Sequence, residues 1–192
     1  MNVRIVRLMG FFGVAAPIIG ALMIFLSVQY TPGWDPASQT LSQLGAEGFG
    51  AVLFNSGLLM TGAVMMLFST GLFEVSKGDL RGQVGSAVYL AASVLTAVLG
   101  VATVQYQPIH YFLAIVLFFL IPLSMTAYSI YLWTRRLRGY AALGLIGGVI
   151  GIAVMELGGP VNALKELASA GSLGVWQMVL GYWMLRQREP EV

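Results

Sequence analysis

"AVLFNSGLLMTGAVMMLFSTGLF", residues 51–73, contains no charged side chain. An α-helix rises 1.5 Å per residue, so about 20 mostly apolar residues cover the roughly 30 Å of a bilayer's hydrocarbon. The stretch therefore reads as a membrane-spanning helix, and the chain around it is of the same kind. Of 192 residues, 58% are hydrophobic and 9% are charged, against roughly 25% charged in soluble domains. Working outward, the same test places spans near 8–28, 51–73, 83–104, 111–133, 140–157 and 169–185. The expected architecture is all-α: a polytopic membrane protein forming one domain over residues 1–192, a single bundle of six transmembrane helices. Arg4 and Arg7 precede the first apolar run as they would in a signal peptide. That run is longer than the roughly 7 to 15 residues of a signal sequence and no small-residue cleavage site follows, so it stays a helix.

The basic residues set an orientation. Arg4, Arg7, Lys77, Arg81, Arg135, Arg136, Arg138, Arg186 and Arg188 fall on one side of a six-crossing topology, with Lys165 opposite. The positive-inside rule then makes both termini cytoplasmic in a multi-pass cell-membrane protein. The same assignment explains the net charge of +2 without nucleic acid. The absence of cysteine excludes disulfides, thiolate metal sites and cysteine nucleophiles.

Small residues shape the packing. Gly144, Gly147, Gly148 and Gly151 give two overlapping small-xxx-small pairs on the fifth helix, and Ala87, Ala91 and Ala92 offer a similar face on the third. Such faces let helix backbones approach closely, either within the chain or against a second copy or a membrane-protein partner. Pro17 and Pro122 fall inside spans and should bend them.

Between the first two spans lies the longest polar interruption, "YTPGWDPASQTLSQLGAEGFG", residues 30–50. Asp35 suits a helix N-cap, Pro36 the first helical position and Gly45 the stop. Ala37, Leu41 and Leu44 recur at i, i+4 and i+7, which predicts a short amphipathic helix over about 35–45 on the outer face, with Trp34 and Tyr30 at headgroup level. The octets "LSQLGAEG" and "LKELASAG" share one pattern, read as two similar interfacial caps.

"SQTLSQLG" followed by "FNSGLLMTG", with "HYFLA" opening the fourth helix and "GIAVMELGGP" closing the fifth, resembles the membrane-protein family catalogued as domain of unknown function 998, from about Gly10 to Leu185. A serine-glycine element after the first helix is more distantly similar to the Frag1, DRAM and Sfk1 group of six-helix proteins, some linked to lipid remodelling. The nearer resemblance implies a six-helix prokaryotic membrane protein and names no activity or cofactor. It also leads us to expect a proline before the fifth-helix glutamate, where Met155 stands.

Ionisable groups are costly in hydrocarbon and so become functional candidates. Glu156, near the end of the fifth span, is either an interfacial carboxylate or one turned into the bundle. His110, the single histidine, either caps a loop or serves as a base or ligand. Asn55 lies about one turn inside the second span, and Ser38 and Ser42 share a helix face. Lys165 and Glu166 are expected at a solvated loop or helix end. A mixed metal site of His110 with Asp35, Glu47 or Glu156 lacks recognisable ligand spacing.

Asp35, Ser38, Ser42, Asn55, His110 and Glu156 all map to the outer third of the membrane. This asymmetry points to a recess open to the outer leaflet, formed by the second, fourth and fifth helices and lidded by the helix over about 35–45, that binds or modifies a lipid or isoprenoid headgroup. Asp35, Ser38, Ser42 and Asn55 would contact the headgroup, and His110 and Glu156 would act as base and acid if the protein is an enzyme. No nucleophile-elbow pattern surrounds Ser38 or Ser42, which disfavours serine catalysis. The alternatives are a non-enzymatic assembly subunit using the glycine faces and, less well supported, a small transporter, whose site would sit near the midplane on broken helices.

Overall fold

The computed structural model describes residues 1–156 and 158–189. Leu157, the expected end of the fifth span, and residues 190–192 of the expected domain lie outside it. Six α-helices make up the described bundle: α1 (Val3–Gln29), α2 (Gly48–Val75), α3 (Leu80–Leu99), α4 (Ile109–Thr134), α5 (Arg138–Glu156) and α6 (Ala163–Leu185), with a 3-10 helix at Leu41–Gly45. Each helix packs on its sequence neighbour and α6 returns to α1, closing a ring, while α4 also touches α6 across the middle. Short connections make antiparallel neighbours the natural outcome.

Helices α1 to α5 are long and apolar enough to cross a membrane. The protein is thus a helical multi-pass membrane bundle. Helix α6 has the length but carries buried Glu166, Ser169 and Gln177, so its polarity faces the bundle interior. Side chains cap several ends: Asn2 accepts from Arg4 N and Ile5 N, Asp79 from Arg81 N and Asn162 from Lys165 N. Pro17 and Pro122 lie inside α1 and α4, and both helices continue through them.

One end of the ring is basic. There the N-terminal amine lies 3.9 Å from Glu74 and Arg4 lies 3.2 Å from Glu189. Glycine lets helices meet at backbone distance in the half of the bundle nearer that end. A Cβ on Gly85 would sit 2.7 Å from Tyr128 N, and one on Gly10 would sit 2.7 Å from Gly181 O. Around these contacts Phe68, Tyr89, Tyr128 and Trp176 form a buried aromatic cluster, with ring centroids 5.6 Å apart for Phe68 and Tyr89 and 6.0 Å for Tyr128 and Trp176.

The opposite end carries the polar interruption, and here the structure corrects the sequence reading. Instead of one amphipathic helix over 35–45, the chain makes a turn after Asp35 and then the 3-10 helix. The backbone groups an α-helix would have paired are taken by α6 and its cap. Ala37 O accepts from Asn162 Nδ2 at 2.9 Å, Gln39 O from Ala163 N at 2.7 Å, and Leu41 N donates to Glu166 at 2.6 Å. Leu41 and Leu44 still turn inward, packing with Phe54 and Ala163. The segment is therefore a cap tied to the bundle. Glu166 is no solvated loop residue: it is 6% exposed, in the first turn of α6.

Candidate functional site

The cap carries Ser42 to the interior. Asn55 Nδ2 donates to Gly45 O at 3.1 Å, Trp34 Nε1 to Thr40 O at 3.1 Å, and Glu166 holds Leu41, the residue before Ser42. From the first turn of α4 His110, 4% exposed, meets it. Its Nδ1 lies 2.6 Å from Ala102 O and its Nε2 lies 2.9 Å from Ser42 Oγ. A carbonyl oxygen only accepts, so Nδ1 carries the ring proton. In the neutral ring Nε2 then accepts from the Ser42 hydroxyl.

Two crevices open from this point. One, of about 370 Å³, is lined by α1, α2, α4 and α6, with Pro17, Gly57, Leu117 and Gly174 on its walls; the other, of about 440 Å³, lies between α4 and α5 and is lined by Phe119, Gly151 and Met155. Proline meets glycine at two helix contacts: a Cβ on Gly174 would lie 3.3 Å from Pro17, and one on Gly151 would lie 3.8 Å from Pro122. Ser42, His110, Ala114, Phe118 and Glu166 belong to both walls. Among the described residues, no arginine or lysine lines either crevice.

The remaining sequence candidates sit elsewhere. Asp35 accepts from Ser38 Oγ at 2.6 Å in an exposed turn, and that hydroxyl, followed by the Ala37 N–H, holds its carboxyl below the ordinary aspartate value. Neither residue lines a crevice. Asn55 Nδ2 donates to the Gly45 carbonyl, and Asn55 lines neither crevice. Glu156 is exposed and borders only the second crevice. Gly144, Gly147, Gly148 and Gly151 are buried inside the ring, against Ser129 and Trp176, Met125, Thr126 and Ser169 respectively. Lys165 Nζ donates to Gly158 O at 3.3 Å and Gly159 O at 3.1 Å. No cluster of three or more His, Cys, Asp or Glu side chains arranged to hold a metal occurs among the described residues.

Of two further residues of the site, the sequence reading set Glu166 in solvent and left Gln177 unread. Glu166 shares a stripe with Ala163, Ser169, Leu173 and Trp176, all buried at spacings of three and four, a signal visible once α6 is started six residues earlier than the expected span. Gln177, 1% exposed, also lines the first crevice. Its Oε1 accepts from Tyr89 OH at 2.6 Å, while Nε2 has no partner among the described residues.

Residues 14–185 match a family model described as "Protein of unknown function (DUF998)". The chain belongs to the DUF998 family. No curated protein and no solved structure matches it. In this DUF998 chain the motifs quoted above surround the crevices: "SQTLSQLG" supplies Ser42, "FNSGLLMTG" supplies Phe54, Gly57 and Thr61, "HYFLA" supplies His110 and Ala114, and "GIAVMELGGP" supplies Gly151, Met155 and Glu156.

Proposed function

We propose that this DUF998 protein binds an amphiphile drawn from the bilayer, a lipid or an isoprenoid, with its headgroup against Ser42, His110 and Glu166 and its apolar chain in a crevice. The observation that carries this reading is that two crevices share the same three polar side chains. A largely apolar cavity with a few converging polar groups is the usual form of a small-molecule site. In a membrane the phase beside such a crevice consists of hydrocarbon chains, so an amphiphile reaches it laterally without crossing water. A shared wall holding one carboxylate and one imidazole, with no lysine or arginine among the described residues, suits an uncharged or cationic headgroup better than a phosphate. The basic residues at the far end of the bundle support a topology with the cap on the outer side and the termini in the cytoplasm.

In this reading Asp35, Ser38 and Asn55 act as supports of the cap, and Glu156 is a rim group of one crevice. The test is native mass spectrometry of protein extracted in mild detergent. Wild type is expected to retain a specific lipid that Glu166→Gln and His110→Ala lose and Glu156→Gln keeps. Equal retention by all four proteins, or none by wild type, would overturn the reading.

A further inference from the structure

Ser42 and His110 do more than close the cap onto α4. The imidazole is fixed at one nitrogen by a backbone carbonyl and receives a hydroxyl at the other, and the hydroxyl belongs to a residue on the wall of both crevices. A nucleophile hydrogen-bonded to a base, with the base oriented by a third group, is the general signature of an activated nucleophile. Here Ala102 O is the orienting group and holds the tautomer that base catalysis requires. Activation through His110 makes a nucleophile elbow unnecessary, and so the absence of that motif does not exclude Ser42.

We infer that the site cleaves a carboxylic ester of the amphiphile, with Ser42 as nucleophile and His110 as base. This rests on the proposal that the crevices admit an amphiphile. A neutral ester agrees with a wall free of lysine and arginine, which a transferring phosphoryl group would need for its charge. In the first step Ser42 Oγ bonds to the ester carbonyl carbon while its proton passes to His110 Nε2. The carbon–oxygen bond to the alcohol then breaks, and the departing alcohol oxygen takes that proton. Water attacks the Ser42 ester, again giving a proton to Nε2. The acid leaves as the serine oxygen recovers the proton. Glu166 is a positioning residue in this scheme, because it fixes the backbone at Leu41.

An alkyl fluorophosphonate, which forms a stable adduct with an activated serine and releases fluoride, tests the assignment on the full chain in detergent micelles. Intact-protein mass spectrometry is expected to show one adduct per wild-type chain, localised to Ser42 by peptide sequencing. The adduct should be absent from Ser42→Ala and about 100-fold or more slower in His110→Gln, the usual contribution of a general base. No adduct on Ser42 in wild type, or labelling at an unchanged rate in a folded His110→Gln, overturns the inference. The wild-type result decides it even if His110→Gln does not fold. Lipid retained without an adduct would sink the chemistry alone, whereas lipid absent from every protein would sink the binding proposal with it.

Discussion

The carboxylate of Glu166 accepts the backbone N–H of Leu41 at 2.6 Å, tying the first turn of α6 to a cap 125 residues earlier in the chain. A buried donor left without an acceptor costs about 1–3 kcal/mol. Glu166→Ala should lower stability by that amount, whereas Glu166→Gln, which keeps an acceptor oxygen, should lower it much less. Unfolding in detergent followed by tryptophan fluorescence measures both.

Asn55 performs a smaller version of the same task. Its amide donates to Gly45 O at 3.1 Å at the end of the 3-10 helix, and an interhelical hydrogen bond of this kind in a membrane protein averages about 0.6 kcal/mol. Asn55→Leu is therefore expected to destabilise by about 1 kcal/mol or less, and to loosen the cap. Faster hydrogen exchange at residues 41–45, with the exchange of α3 unchanged, would be the readout.

Asp35 gives a dependence on pH with a definite sign. Its carboxyl is held below the ordinary value first by the Ser38 hydroxyl and then by the Ala37 N–H. A depressed carboxyl contributes stability that is present above its unfolded value, about 3.9, and is lost as pH falls through the folded value. Carbon-13 NMR titration should place its midpoint below that of an unfolded aspartate. Ser38→Ala should move the midpoint upward, and an unmoved midpoint would remove Ser38 as the cause.

Close helix contacts make a paired prediction. A Cβ on Gly62 would meet Ser93 O at 2.7 Å and Ala97 Cα at 2.8 Å, whereas one on Gly171 would meet nothing within 4 Å. Gly62→Ala should cost about 1–3 kcal/mol through overpacking. Gly171→Ala should be neutral or stabilising by up to about 1 kcal/mol through helix propensity. Thermal midpoints in one detergent compare them directly.

Orientation is open to labelling because the chain has no cysteine of its own. Ala37→Cys lies in the exposed turn of the cap, and Lys77→Cys lies in the exposed turn between α2 and α3. An impermeant maleimide applied to intact cells should modify the first and reach the second only after permeabilisation. The reverse pattern would invert the proposed topology.

Apolar run length and the placement of charge were sufficient to read the bundle. Spans 51–73 and 111–133 fall within α2 and α4, because a helix is the only way a single segment can satisfy its own backbone in hydrocarbon. The end of the bundle that holds the interruption was legible for the same reason. The local form of the cap was not. Asp35, Pro36 and Gly45 carry genuine helix signals, but Asn162, Ala163 and Glu166 take the hydrogen bonds that an α-helix over 35–45 would have used, and a local pattern contains no information about partners so distant in the chain.

The candidate site divides along the same line. Composition picked out Ser42, His110 and Glu156 as polar groups costly to bury, since that cost depends on residue type and depth alone. Which of them meet depends on how the ring closes. Closure brought Ser42 to His110, left Glu156 at a rim and made Glu166 the carboxylate common to both crevices. The sequence by itself determined a multi-pass helical membrane protein with a polar interruption at the end opposite its basic residues, because hydrophobic length and charge cost are additive along a chain. Only the tertiary structure decided which polar side chains share a wall, because a hydrogen bond needs two groups within about 3 Å and that proximity is set by packing between helices distant in sequence.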